Sequence, residues 1–231
     1  MDYAEWDVYY RQILEDFGFS REEDERAAKI LDAKLTGRRI NPEELRPLFA
    51  GKEATVAGNA TGLRKELMAV SRPLLAADEA TSVLRTAGIR PDVIVTDLDG
   101  TVEDQVAANA EGTVAVVHAH GDNIPALQKW APKFTGPVVA TTQSRPFGRV
   151  YNFGGFTDGD RAAFLADHLG AARLLLLGFD FENPSPKDED REVKKRKLDW
   201  AYILLQTLDV SAYQETETGE PSREPLSDYG R

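Results

Sequence analysis

Hydrophobic residues recur at helical spacing through the first fifty residues of the chain, with polar residues between them. The first periodic run stops at Gly18, a residue type that commonly ends helices. Ser20 and Glu23 then have the spacing of a capping box, and Pro42 opens a short third helix. No strand pattern is visible in this part of the chain. We therefore expect residues 1–50 to form a helical N-terminal segment.

After residue 51, short apolar runs alternate with segments of helical length and composition. Several runs are continuously apolar, which is typical of strands covered on both faces of a parallel sheet. This alternation predicts an α/β domain over residues 51–208, with a mainly parallel sheet and helices on both faces. The polar residues 209–231 are expected to form a flexible tail. The predicted strands are 54–57, 74–77, 93–96, 114–117, 138–141 and 174–177.

The composition narrows the range of functions. The 231 residues carry a formal net charge of −11, so neither nucleic acid nor a membrane is an expected partner. The lack of cysteine excludes disulfides, zinc fingers, iron–sulfur clusters and a cysteine nucleophile. The longest apolar run, 171–177, is too short to span a bilayer, and the acidic N-terminus differs from a signal peptide. We expect a cytoplasmic protein with small-molecule substrates; a homo-oligomer stays open.

Carboxylates follow several of the predicted strands. Asp97 and Asp99 are two residues apart at a strand end and so point to the same side. Two carboxylates placed in this way favour a divalent cation, and Mg²⁺ combines such ligands with phosphate oxygens. The alternative is an ordinary Asp-Gly turn. Asp78 and Asp122 follow neighbouring strands, and we therefore favour a metal–nucleotide site made of these four residues.

The chain also contains a His-x-His pattern at His118 and His120. A histidine-rich zinc centre is not expected, because the one remaining histidine, His168, falls within a predicted helix. We expect His118 to be half buried and to bond the backbone. His120 is the better candidate for binding phosphate or assisting proton transfer.

Other polar positions at strand and helix ends suit a nucleotide. The glycine-rich turn after the first strand could place backbone N–H groups on a phosphate, although a simple tight turn explains it equally. Residues 194–197 form a basic cluster; most of it is expected to be a solvated helix face, with one or two residues on phosphate. The predicted nucleotide-binding residues are Gly58, Asn59, Asp78, Thr142, Gln143, Lys194 and Lys197.

The segment 152–161 is rich in glycine, aromatic and acidic residues. Its two phenylalanines could enclose a flat ring, and one of its aspartates could accept hydrogen bonds from a ring amidine. Alternatively, the segment caps the following helix and its phenylalanines belong to the core. The predicted substrate-binding residues are Asn152, Phe153, Phe156, Asp158, Asp160, Arg161 and, after the last strand, Asp180.

Taken together, these motifs resemble the archaeal 6-hydroxymethyl-7,8-dihydropterin pyrophosphokinase family over residues 50 to 205. The resemblance is carried by segments 56–59, 76–78, 87–100, 118–123 and 152–161. It implies a fold similar to that of thiamine pyrophosphokinases, with Asp78, Asp97, Asp99 and Asp122 holding magnesium and phosphate. The sequence departs from the family pattern at Glu79 and Phe179, where family members often have glycine and methionine, and in the glycine-rich turn.

The resemblance implies a reaction and a set of substrates. The pterin hydroxymethyl oxygen would attack the β-phosphorus of ATP and give the pterin diphosphate and AMP, in folate or methanopterin biosynthesis. Asp122 or His120 would accept the alcohol proton, and the metal would be Mg²⁺. Asp97 and Asp99 would be catalytic through the metal that they bind.

Three alternatives stay open at this point. Asp97-Leu98-Asp99-Gly100-Thr101 resembles the nucleophile motif of haloacid-dehalogenase-type phosphatases, in which Asp97 would be phosphorylated and Asp99 would act as acid and base. Two strand–helix units precede the motif here, whereas it usually lies on the first strand. A thiamine pyrophosphokinase or a non-catalytic nucleotide-binding module are the other two.

Overall fold

The computed structural model describes residues 1–184, 190–215 and 221–228. Within these residues, helices flank one ten-stranded sheet, and none of the helices is long and apolar enough to cross a lipid bilayer. The helices are α1 (Tyr3–Phe17), α2 (Arg21–Lys34), α3 (Arg46–Phe49), α4 (Leu63–Glu66), α5 (Ala80–Thr86), α6 (Val102–Ala110), α7 (Ile124–Trp130), α8 (Asp158–His168) and α9 (Arg191–Leu205). The strands are β1 (Arg38–Arg39), β2 (Glu53–Ala57), β3 (Leu74–Ala77), β4 (Val93–Thr96), β5 (Val114–Ala119), β6 (Pro137–Thr142), β7 (Val150–Tyr151), β8 (Arg173–Leu177), β9 (Val210–Glu215) and β10 (Pro221–Pro225).

The strands follow the spatial order β1-β6-β5-β4-β3-β2-β8-β9-β10, and β7 pairs with β6 beside this path. Every pairing between these strands is parallel except that of β9 with β10. The strands β3, β4 and β5 are buried along their whole lengths, which explains their continuously apolar sequences. The predicted mainly parallel α/β fold is confirmed.

Helices cover both faces of the sheet. In β5, Val114 and Val116 pack in a cluster with residues of α1, α8 and α9. Ala115 and Val117 point to the opposite face and pack in a cluster with residues of α2 and α7. α5 and α6 extend the cover of this second face around Ile94. The central strands are therefore enclosed, and their exposed functional groups lie at the strand ends.

The N-terminal helices pack directly on the sheet. Trp6, Tyr10 and Ile13 are completely buried in the cluster that contains α8 and α9. α1 ends at Gly18, which adopts a left-handed conformation. One difference from the sequence-based expectation is β1, a two-residue strand that pairs with the edge of β6 within the segment predicted to be helical. The segment 1–50 thus contributes both core side chains and one sheet strand.

The C-terminal stretch also differs from its prediction. β9 extends the sheet by pairing with β8, and β10 folds back along β9. Val210, Ala212 and Leu226 are buried. Within residues 209–231, where a flexible tail is predicted, the structure thus has strands at 210–215 and 221–225. These strands are not visible in the polar sequence, because main-chain hydrogen bonds from β9 to β8 and from β10 to β9 form them.

Candidate active site

Four aspartates from distant parts of the chain meet at one edge of the sheet. Asp78 follows β3, Asp97 and Asp99 follow β4, and Asp158 is the first residue of α8. One carboxylate oxygen from each lies within 4.8 Å of the others. Because β3 and β4 are parallel neighbours, the residues that follow them emerge at the same edge. We call these four residues the aspartate cluster.

The backbone around the aspartate cluster is bent sharply. Asp78 has a φ of 41° and Leu98 a φ of 71°, values that are rare for residues with side chains. Leu98 is buried, and its N–H donates to Thr96 Oγ1 at 2.9 Å. Gly100 leaves room for the neighbouring carboxylate, because a Cβ at Gly100 would lie 2.0 Å from Asp78 Oδ2. Backbone strain of this kind concentrates at functional sites.

Asp78 is held by two side chains that the sequence did not reveal as part of the site. Thr96 Oγ1 donates to Asp78 Oδ1 at 2.5 Å, and Gln105 Nε2 donates to the same oxygen at 2.8 Å. Burial and the charges of Asp99 and Asp97 nevertheless raise the pKa of Asp78 well above its usual value. The two hydrogen bonds orient this carboxylate without neutralising it.

Asp97 faces the cationic side of the site. Its Oδ2 lies 3.3 Å from His120 Nε2 and 3.9 Å from Arg161 Nη1. Burial by itself would raise the pKa of Asp97, but the hydrogen bond and charge of His120 and the charge of Arg161 lower it overall. Asp97 Oδ1 is buried and has no hydrogen-bond partner among the described residues. Asp97 is thus an ionised carboxylate with one unused oxygen.

Asp158 closes the aspartate cluster from the helical side. Its Oδ1 lies 3.1 Å from Arg161 Nη1, and its Oδ2 accepts a hydrogen bond from the main-chain N–H of Asp97 at 3.3 Å. Burial and the charge of Asp97 raise the pKa of Asp158 well above its usual value. Burial and the same neighbouring charge raise the pKa of Asp99. The sequence interpretation assigned Asp158 to substrate, whereas the structure places it with the other three aspartates.

The donor set of the aspartate cluster suits a hard divalent cation. Carboxylates this close together favour either a shared proton or a cation, and Mg²⁺ and Ca²⁺ take oxygen ligands. The unpartnered Asp97 Oδ1 is a buried oxygen whose desolvation a cation would compensate. The residues present therefore fit a magnesium ion.

Asp122, the fourth predicted metal residue, is exposed on the 3-10 turn Gly121–Asn123 and lies outside the aspartate cluster. His120 lies beside Asp97 of the cluster, and its predicted role in phosphate binding or proton transfer remains a prediction. His118 is more deeply buried than expected, and its Nδ1 lies 3.0 Å from Thr141 Oγ1 rather than from a backbone group. Burial and the charge of Arg161 lower the pKa of His118 well below its usual value, so it stays neutral.

Most of the predicted ring-binding residues have structural contacts instead. Phe153 and Phe156 are buried in the core, and Phe156 packs 5.2 Å from the ring of Phe17. Asp160 accepts hydrogen bonds from the main-chain N–H groups of Phe156 and Thr157 at the start of α8. Of the segment 152–161, the structure brings Asp158 and Arg161 to the aspartate cluster.

Two further predicted substrate residues are also engaged locally. Asn152 Nδ2 donates to the carbonyl oxygens of Gln143 and Ser144. Asp180 Oδ1 accepts hydrogen bonds from the N–H groups of Glu182 and Asn183. Their roles toward substrate remain predictions.

The predicted nucleotide-binding residues are spread around the same edge. Gly58 is pressed against the end of β8, since a Cβ there would lie 2.6 Å from the oxygen of Gly178. Asn59 Nδ2 donates to Glu79 Oε2 at 2.6 Å. The charge of Lys194, in the first turn of α9, lowers the pKa of Asp99 and thereby opposes the larger effects of burial and Asp97.

The three remaining nucleotide candidates lie in different settings. Thr142, at the end of β6, is buried, and its Oγ1 accepts the N–H of Ser144 at 3.2 Å. Gln143, the next residue, contacts Arg161. Lys197 Nζ lies 6.0 Å from the centre of the Phe19 ring. Binding of phosphate by these residues remains a prediction.

Sequence comparison identifies the relatives of this chain. A family model described as "6-hydroxymethylpterin diphosphokinase MptE-like" matches residues 34–185. A 6-hydroxymethyl-7,8-dihydropterin pyrophosphokinase from Methanothermobacter thermautotrophicus is 42% identical over 227 residues, covering 90% of this chain and 96% of the relative. Proteins of the same name from Methanocaldococcus jannaschii and Pyrococcus furiosus are 35% and 42% identical, each over 90% of this chain and over 96% and 94% of their own lengths.

Comparison with solved structures is much weaker. The Maf glycosyltransferase of Magnetospirillum magneticum aligns over 90% of this chain and 32% of its own, with a TM-score of 0.47 and 14% identity. Thiamin pyrophosphokinase from Candida albicans aligns over 77% of this chain and 61% of its own, with a TM-score of 0.32 and 11% identity. Neither score establishes a common fold, so the family assignment rests on sequence. The chain belongs to the MptE-like family of 6-hydroxymethylpterin diphosphokinases.

Proposed function

We propose that the protein transfers pyrophosphate from ATP to the hydroxymethyl group of 6-hydroxymethyl-7,8-dihydropterin. The observation that supports this activity is the aspartate cluster at the carboxyl ends of β3 and β4, in a chain 35–42% identical to proteins named for this reaction. The chemistry needs charge neutralisation and alignment of two substrates more than a covalent intermediate. The product would serve folate or tetrahydromethanopterin biosynthesis.

The proposed metal is Mg²⁺, held by Asp78, Asp97, Asp99 and Asp158. When bound, magnesium would neutralise phosphate charge and orient the ATP chain. The hydrogen bonds from Thr96 and Gln105 fix the direction of the Asp78 carboxylate. Asp158 replaces Asp122 in this ligand set, because Asp122 is exposed and lies apart from the other three.

Side chains of the protein would neutralise the remaining phosphate charge and accept the proton of the pterin hydroxyl group. In the reaction, the hydroxymethyl oxygen bonds to the β-phosphorus of ATP. The bond from that phosphorus to the oxygen that bridges the α- and β-phosphorus atoms breaks, and AMP departs with the electron pair. His120 reaches the aspartate cluster and is our candidate residue for accepting the hydroxyl proton, in preference to the exposed Asp122. Arg161 and Lys194 supply positive charge beside the cluster.

One experiment tests the proposal against its main alternatives. The purified protein is incubated with ATP, MgCl₂ and either 6-hydroxymethyl-7,8-dihydropterin or thiamine, and AMP is measured. We expect AMP with the pterin alone. AMP with thiamine would indicate a thiamine pyrophosphokinase, and ATP binding without AMP in either mixture would indicate a nucleotide-binding module.

The phosphatase alternative is tested separately. It requires an aspartyl-phosphate on Asp97 and release of phosphate from simple phosphomonoesters. Asp97 instead lies in the aspartate cluster together with Asp78, which follows β3, and Asp158, which begins α8. His120 and Arg161 face Asp97 Oδ2. We expect no phosphate release from p-nitrophenyl phosphate under conditions in which AMP forms.

A further inference from the structure

We propose that Asp24, a buried carboxylate of the N-terminal helix α2, is a positioning residue that holds His120 and Arg161 against the aspartate cluster. The inference rests on the proposed function, because it assigns Asp24 a part in that reaction. No pattern in the sequence assigns a functional role to the N-terminal helices. The structure connects them to the site through two separate chains of hydrogen bonds that both begin at Asp24.

Asp24 is 2% exposed and accepts three hydrogen bonds. Tyr10 Oη donates to Asp24 Oδ2 at 2.6 Å, and Gln143 Nε2 donates to the same oxygen at 2.8 Å. The main-chain N–H of Gly121 donates to Asp24 Oδ1 at 2.7 Å. No salt bridge among the described residues includes Asp24, so neutral donors alone hold this carboxylate. Burying a carboxylate costs free energy, whereas an apolar side chain at this position would pack α2 on the sheet without that cost.

The first connection leads to His120. The N–H that Asp24 accepts belongs to Gly121, the next residue after His120. The turn is also pressed onto α2, since a Cβ at Gly121 would lie 2.9 Å from Glu23 Cβ. On the strand side, Asn123 Oδ1 accepts the His120 N–H at 3.1 Å. His120 is thus fixed from both sides, and its Nε2 lies 3.3 Å from Asp97 Oδ2.

The second connection leads to Arg161. Because Gln143 Nε2 donates to Asp24, the amide must present its other end, Oε1, in the opposite direction. That oxygen accepts a hydrogen bond from Arg161 Nη2 at 3.3 Å. Arg161 Nη1 then lies 3.1 Å from Asp158 Oδ1 and 3.9 Å from Asp97 Oδ2. Asp24 therefore determines which group of Gln143 the guanidinium meets.

The test compares two variants of the same hydrogen-bonded group. Asp24→Asn keeps the shape but replaces one acceptor oxygen with an NH₂ group, which disturbs the bonds to Gly121 or Gln143. Tyr10→Phe removes the third donor and leaves both connections to the site intact. We expect Asp24→Asn to lower kcat about 10- to 100-fold, as misplaced catalytic groups do, with KM for ATP changed less than about threefold.

Tyr10→Phe is expected to lower the melting temperature while keeping kcat within about twofold of the wild type. If Asp24 served only the stability of the fold, both variants would melt earlier and both would keep their kcat. A wild-type kcat in folded Asp24→Asn would overturn the proposal.

A second measurement does not depend on turnover. The chain has three histidines, so their imidazole NMR signals can be assigned with His120→Gln and His168→Gln. We expect Asp24→Asn to shift the signals of His120 and not those of His168, and Tyr10→Phe to shift neither. Unchanged His120 signals in Asp24→Asn would refute the positioning role. Shifted signals together with a wild-type protein that forms no AMP would refute the proposed function and support the connection from Asp24.

Discussion

His120 Nε2 lies 3.3 Å from Asp97 Oδ2, the carboxylate of the aspartate cluster whose pKa is lowered rather than raised. The two residues directly follow the neighbouring parallel strands β5 and β4. Asp97 can hold the imidazole in one orientation while its other oxygen, Oδ1, stays available. In the reaction that we propose, the pair would place a metal ligand beside the residue that accepts the proton.

The first prediction concerns His120. His120→Gln removes the imidazole that would accept the hydroxyl proton but keeps a polar side chain near Asp97. We expect kcat to fall about 10²- to 10⁴-fold, the usual contribution of a general base, with little change in the melting temperature. Initial rates of AMP formation measure the effect.

His168→Gln is the matched control for this variant. His168 lies in the last turn of α8, and its Nε2 is 2.9 Å from Oε1 of Glu43, a residue near α3. We expect its kcat to match the wild type. Equal losses in the two histidine variants would show that His120 has no specific role in proton transfer.

The second prediction concerns the ligand set. Asp97→Asn and Asp158→Asn each remove one charge from the aspartate cluster without changing side-chain volume. We expect both to abolish AMP formation at any MgCl₂ concentration and to weaken Mn²⁺ binding measured by calorimetry. Glu103→Gln, an exposed change in the first turn of α6, is the control for charge. Full metal affinity in Asp158→Asn would remove that residue from the ligand set.

The third prediction is a pH dependence of stability in metal-free protein. Burial and neighbouring carboxylates raise the pKa of Asp78, Asp99 and Asp158 in the folded state. Above the usual carboxyl pKa of about 4, the folded protein therefore holds more protons than the unfolded chain, and the free energy of unfolding falls as pH rises. Asp97, with its lowered pKa, acts in the opposite direction in acid.

Urea unfolding between about pH 5 and pH 8, with EDTA or with MgCl₂, measures this dependence. We expect metal-free protein to lose stability over this range and magnesium to restore most of the loss. Asp99→Asn should be more stable than the wild type in EDTA at neutral pH, because it removes one of the crowded charges, and we expect it to form no AMP. A wild-type protein whose stability in EDTA rises with pH would contradict the prediction.

The fourth prediction concerns Gly100. A Cβ at this position would lie 2.0 Å from Asp78 Oδ2, so Gly100→Ala must displace the Asp78 carboxylate. We expect kcat to fall at least about tenfold, through misplacement of a metal ligand. Gly88→Ala is the comparison, because Gly88 has a φ of 74° but no atom within 4 Å of the added Cβ. It should lose stability by about 1 kcal/mol and keep its kcat.

The sequence predicted the site best where the chemistry lies on a strand. The continuously apolar run before Asp97 fixes the end of β4, and parallel pairing brings Asp78 to the same edge. It failed for Asp158 and Asp122, because both are aspartates near the start of a helix. Which of them reaches Asp97 depends on how α8 packs on the sheet, and Asp158 of α8 is 61 residues from Asp97 in the sequence.

The phenylalanines of segment 152–161 illustrate a second limit. The sequence cannot distinguish a phenylalanine that packs in the core from one that stacks on a ligand. Phe156 is buried and contacts Phe17 of α1. Asp24 was overlooked for a related reason. Its partners, Gly121 and Gln143, are 97 and 119 residues away, and nothing in the local pattern of α2 distinguishes it from a solvated acidic residue.

The family match begins at residue 34, the last residue of α2, and so leaves out α1 and nearly all of α2. Trp6, Tyr10 and Ile13 of α1 are nevertheless completely buried. A minimal fragment trimmed to the matched range would lose these side chains and uncover apolar surface of the sheet. Such a truncation would make the protein prone to aggregate, so expression of shorter versions should retain the first two helices.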